Sequence, residues 1–294
     1  MMPVVTDMTF ELVETMVALC SLGLGLAILA RGYLAVRGTT LGGPWMWAVA
    51  ALVAWAAAEL AVSFSLVGSG SGESLKFAAV GLSFCPIVAV LGAKRPQHAA
   101  WGFVVVSLWA IVALPAAENL FLHPGQNLAL GDARAWFLWV LIALGLVNYL
   151  PTRFAAAAVL LAAGQVVALS PYLELVHRPL FENAPLVGLV LVVGALLAAW
   201  IAARWQRSAA NELVRLWLEF RDAFGLLWGL RLQERINAVA KQNGWSVELT
   251  WGGFRAAETG AIVKEFEPEV EAGLSMAMRG VLRRFVRNSV LDTN

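Results

Sequence analysis

Residues 134–171 read RAWFLWVLIALGLVNYLPTRFAAAAVLLAAGQVVALSP, and the number of membrane crossings turns on how that stretch is divided. As a single helix rising about 1.5 Å per residue it would be about 57 Å long, nearly twice the hydrocarbon core of a bilayer. Pro151 interrupts it, with Asn148 and Arg153 on either side. Two spans, 134–150 and 152–171, joined by a tight turn over 148–153, fit a bilayer better than one overlong helix.

Further apolar stretches lie at about 10–31, 45–67, 75–93, 98–117 and 184–204, which brings the expected number to seven, or six if 134–171 crosses once. With 60% hydrophobic and 14% charged residues, the chain has more apolar surface than a core of its size can hide, so lipid must take the remainder. The expected fold class is membrane all-α: a seven-helix transmembrane bundle over 1–204 with a small cytoplasmic α/β tail domain over 205–294. Residues 1–10 hold an acid and no base, so the first span is expected to be retained rather than cleaved as a signal peptide. Cys20 and Cys85 both fall inside spans, where a thiol acts as a small apolar side chain, so no disulfide framework is expected. A net charge of +1 points to neither nucleic acid nor a polyacidic partner.

Charge alternates between successive connections. Arg31 and Arg37 follow the first span, Lys94 and Arg95 the third, Arg153 the fifth, and Arg204 and Arg207 the seventh. Acids mark the other side: Glu11 and Glu14 at the first span, Glu73 beside Lys76, Glu118 and Asp132 with Arg134, then Glu174 and Glu182 with Arg178. Lysine and arginine favour cytoplasmic loops, which predicts an outside N-terminus and an inside C-terminus. Trp45, Trp47, Trp101, Trp200 and Trp205 would anchor the inner interface, and Trp136 and Trp139 the outer one. The loop pattern suits a bacterial inner (plasma) membrane.

Beyond residue 205 charge rises to the density of a soluble domain. Residues 206–242 read as a long helix continuing from the last span. Leu213, Trp217, Phe220, Phe224 and Leu227 form its apolar stripe, and Glu212, Arg215, Glu219 and Asp222 its polar stripe. The run 224–230 is apolar on every face. It is either buried against the rest of the tail, or bent at its glycines so that Trp228 meets the membrane surface or a partner. Residues 245–251 alternate as a strand, Gly252-Gly253 can turn it, and 260–266 would supply a second strand. A last helix is expected from Pro268 to Ser289, with Glu269 and Glu271 in its first turn and Arg279, Arg283 and Arg287 stacked along one side. That arginine stripe is either a solvated face or a seat for anionic lipid.

Ionisable residues at membrane depth are the first candidates for a site, because burying charge there is costly. Glu59 lies well inside the second span, and Glu14 at a comparable depth on the first, one turn from Glu11. A protonated Glu59 sharing a hydrogen bond with Glu14, or a cation between them, would suit a transporter; a neutral acid bonded to Ser63 or Ser65 would be packing alone. Pro86, in Ser83-Phe84-Cys85-Pro86, removes a backbone donor and exposes a carbonyl near residue 82, as do broken helices at transporter ion sites. Gln165 and Asn148 read as groups that bond between helices. None of His98, His123 and His177 lies mid-membrane, so a buried bis-histidine haem is not expected. His123 and His177 with Glu118, Glu174 or Glu182 could converge on an outward metal, but no ligand spacing supports it, and no metal or cofactor is implied. There is no glycine-rich phosphate loop, C-x-x-C pair, H-E-x-x-H or G-x-S-x-G, which argues against an enzyme. The expected function is a non-enzymatic scaffold, sensor or complex subunit in the lipid bilayer, with a protein partner met at the tail through Trp217 and Trp228 or through the arginine stripe. The alternative is a small-solute or ion transporter using Glu59, Glu14, Glu11 and the Pro86 break.

Overall fold

The computed structural model describes residues 4–173, 175–176, 178–205 and 211–286. The first part of the chain forms helices α1 (Val4–Val36), α2 (Gly42–Ser63), α3 (Ser69–Gly81), α4 (Cys85–Leu91), α5 (Gln97–Leu122), α6 (Asp132–Tyr149), α7 (Ala155–Leu169) and α8 (Ala184–Arg204). Then come α9 (Glu212–Gln242), the hairpin β1 (Val247–Thr250) and β2 (Gly253–Ala256), and α10 (Pro268–Leu282). Among the described residues six helices are long and apolar enough to cross a membrane: Leu12–Val36, Gly42–Ser63, Gly70–Leu91, Ala100–Leu122, Ala155–Tyr172 and Ala184–Arg204.

The stretch 134–171 is divided at Pro151. Thr152 closes the turn, its hydroxyl donating to Tyr149 O at 2.7 Å and accepting from Phe154 N at 3.1 Å. α6 is not among the six membrane-length helices, because Asp132 and Arg134 occupy its first turn and Asn148 its last, which shortens the apolar run between them. The span Gly70–Leu91 combines α3, a 3-10 turn over Leu82–Phe84, and α4. Pro86 sits in the first turn of α4, where a helix start needs no donor, so the break costs little there.

Indole N–H groups staple neighbouring helices: Trp45 donates to Leu29 O, Trp55 to Pro185 O, Trp101 to Val88 O and Trp109 to Ala78 O. Helices α7 and α8 approach closely at two glycines. A Cβ on Gly164 would stand 2.9 Å from Gly188 O, and one on Gly188 would stand 2.7 Å from Gly164 O, so both positions admit only hydrogen.

Connections alternate between the two ends of the bundle. At one end Asn119 on α5 bonds Ser74 on α3 and Gln126 O, and Tyr172 bonds Glu73. At the other end the 39–40, 95 and 148–153 segments all meet the C-terminal region. Thr40 N donates to Phe285 O at 2.8 Å, Arg95 N donates to Arg284 O at 2.9 Å, and Trp251 Nε1 donates to Pro151 O at 2.8 Å.

Three expectations for the C-terminal region are corrected. The helix does not run on from α8: Trp205 is extended, and Asn211 starts α9 anew, its Oδ1 accepting from Val214 N at 2.9 Å. The stretch 206–210 lies outside the described residues. The second strand is Gly253–Ala256, directly after a two-residue turn, while 260–266 adds only one bridge, Arg255 to Ile262. α10 ends at Leu282 rather than Ser289, and the chain folds back so that Val286 pairs with Thr39. The reason is burial. Leu249, Phe254, Leu274, Met278 and Phe285 cover Trp217, Phe220 and Phe224, and this core continues into Val90 and Ala93 at the end of α4.

Candidate functional site

Two groups of buried charge stand out, one at each end of the bundle. At the end away from α9, Glu59 is 4% exposed on the last full turn of α2. Its Oε2 lies 2.7 Å from Lys76 Nζ. Lys76 belongs to α3, two turns in from Ser69, and not to a loop. Glu59 therefore pairs with Lys76 rather than with Glu14. Because α2 stops at Ser63, the carboxylate is about 6 Å from the helix end, shallower than a span to 67 implies. Glu59 Oε1 is buried with no hydrogen-bond partner among the described residues. Glu14 is close enough to act on Glu59 by charge and is itself bonded by Asn183, the residue that precedes α8. Glu73, one turn before Lys76, accepts from Tyr172 at 2.6 Å. Four elements thus converge on one polar cluster.

Glu11 lies on α1, and its side chain is outside the described residues. Pro86 lies apart from this cluster. Beside its break, Gln165 Nε2 donates to Ser83 O at 3.4 Å and to the Ser83 hydroxyl at 3.0 Å. Among the described residues no three His, Cys, Asp or Glu side chains gather as a metal-binding group.

At the other end, Arg221 and Asp222 are 2% and 1% exposed. Asp222 Oδ1 accepts from Arg221 Nε at 3.0 Å and NH2 at 2.7 Å, while Arg221 NH1 donates to Trp251 O at 2.6 Å. Arg153, in the turn between α6 and α7, adds its backbone N–H to Oδ1 at 3.4 Å and places Nε 3.5 Å from Oδ2. Tyr149 donates to Ala223 O at 3.1 Å, and Asn148 Oδ1 accepts from Leu227 N at 3.2 Å. The geometry depends on Gly225, whose φ of 79° and ψ of −170° bend α9 and whose Cα faces Asn148. That backbone conformation is essentially restricted to glycine.

Trp217 and Trp228 are 0% and 7% exposed, covered by the chain's own residues, and Trp228 Nε1 donates to Val90 O at 2.9 Å. Asp222 is buried rather than part of a solvated stripe. Arg279 lies 3.5 Å from Glu212, Arg283 is exposed, and Arg287 lies outside the described residues, so the stripe of three is not seen as a unit.

Sequence reading missed Lys76 as a partner because a charge near a span end reads as loop. Glu73 and Lys76, one helical turn apart, were the available signal. Nothing local marks Arg221 and Asp222 as buried.

The six membrane-length helices make this a multi-pass integral membrane protein. No protein-family model matches the chain, and neither a curated protein nor a solved structure is detectably similar to it.

Proposed function

We propose that the chain is a seven-span, non-enzymatic membrane scaffold, sensor or complex subunit, with its N-terminus outside and its C-terminal region, 205–294, acting as a cytoplasmic partner-facing module. The observation that carries this reading is the buried Arg221–Asp222 pair with Arg153. It keys α9 to the turn between α6 and α7, so a shift of either helix would be transmitted to the C-terminal region. α6 counts as the seventh crossing because α5 leaves the α9-facing end and α6 returns to it. At about 1.5 Å per residue, its 18 residues cover about 27 Å. The basic residues Arg37, Lys94, Arg95 and Arg153 belong to segments at that same end, which favours a cytoplasmic placement.

The test is purification of the tagged full chain from its native membranes in mild detergent, with lysine-reactive cross-linking and mass spectrometry. The expected result is a stoichiometric companion cross-linked to the exposed Lys241 and Lys264. A homo-oligomer with no companion overturns this reading. It would favour instead a transporter using Glu59, whose buried, unpartnered Oε1 is the kind of atom that takes a proton or cation. Uptake into proteoliposomes lost in Glu59→Gln would then establish that alternative.

A further inference from the structure

Between α9, α10 and the connection after α4 lies a pocket of about 550 Å³. Four cations line it, Lys94, Arg231, Arg235 and Arg284, over an apolar floor that includes Trp228 and Phe285, and among the described residues no acid contributes to its wall. None of the four has a carboxylate partner among the described residues. Soluble surfaces intersperse charges of both signs, so an unneutralised group of four around one cavity calls for an external anion.

Its height in the molecule identifies the anion. Trp228 in the floor donates to Val90 O, one residue before the end of the span Gly70–Leu91. Lys94 follows that end by three residues, and Arg95 N holds Arg284 O at 2.9 Å. The pocket therefore sits where the hydrocarbon core gives way to headgroups. On the same turns of α9, Leu227 and Leu230 are 42% and 47% exposed, apolar surface that suits acyl chains better than water. The Arg231 guanidinium stacks over Trp228 at 5.0 Å, which fixes its direction without consuming its charge.

We propose that this pocket binds an anionic phospholipid, its phosphate held between Lys94, Arg231, Arg235 and Arg284 and its chains directed along Leu227 and Leu230. The bound lipid would brace the joint between the third span and the α9–α10 region. This stands on the membrane reading and not on the choice between scaffold and transporter.

The test is native mass spectrometry of the delipidated full chain titrated with phosphatidylglycerol or phosphatidylcholine. The wild type is compared with Arg231→Gln/Arg235→Gln and with Arg215→Gln/Arg255→Gln, which removes equal charge from exposed positions outside the pocket. Wild type is expected to retain phosphatidylglycerol selectively. At about fivefold per basic residue, the pocket variant should lose about 25-fold in affinity, and the control should lose little. Arg231 and Arg235 are exposed, so the variant should melt at the wild-type temperature in phosphatidylcholine; a phosphatidylglycerol-induced rise confined to wild type gives a second readout. Equal retention of both lipids, or an equal loss in the control, overturns the site. Displacement by inorganic phosphate in modest excess overturns the lipid and assigns a free phosphate instead.

Discussion

Gly225 shows how much a single residue carries here. With φ 79° it lets α9 turn beneath the bundle, and a Cβ at this position would fall within 3 Å of both the amide and the backbone oxygen of Asn148. Gly225→Ala therefore meets a strained backbone and a steric clash together, a cost of about 3 kcal/mol or more. Its apparent melting temperature in detergent should fall clearly, while Gly194→Ala, with open space around it, should melt as wild type. Equal melting of the two would mean that the bend is not needed. Glu59 illustrates the opposite limit of sequence reading. Its burial was legible because an acid amid Ala56–Ala58 and Leu60 has little else to do. Its partner was not, because pairing with Lys76 depends on where α2 ends and α3 begins.

At the scale of the element, α6 is the helix whose role composition leaves open. Its ends carry polar residues, yet its C-terminal residues Asn148 and Tyr149 reach α9. Its N-terminus follows the connection whose Gly125 backbone packs against Gly70 of α3 at the far end of the bundle. In a Cys20→Ala/Cys85→Ala background, Gly131→Cys should react with an impermeant maleimide added outside intact cells, and Leu150→Cys only after the membrane is opened. Labelling of both from one side would remove the seventh crossing. The division of 134–171 into two helices was readable from Pro151 and the bilayer thickness. The separation of α8 from α9 was not, because one apolar pattern running into another gives no sign of Asn211 capping a new start.

Across the whole molecule, the bundle and the C-terminal region share a core. Val90 and Ala93 pack in the same apolar cluster as Leu249, Leu274 and Phe285. Removing 245–294 should therefore do more than delete an appendage. It uncovers Trp217, Phe220 and Phe224, and the truncated chain should lose a monodisperse peak in size-exclusion chromatography and melt at lower temperature. An unchanged peak and melting temperature would mean that the two parts fold independently.

Hydropathy, loop charge and helix length are properties of short windows, and from them the sequence by itself determined the membrane class, most of the spans and the break at Pro151. Side chains distant in the chain and brought together decided the rest. Arg153 meets Asp222, Lys76 meets Glu59, and Lys94 joins Arg231, Arg235 and Arg284 around one cavity. Such partnerships arise from helix ends and crossing geometry, which no local periodicity encodes, so only the tertiary structure could supply them.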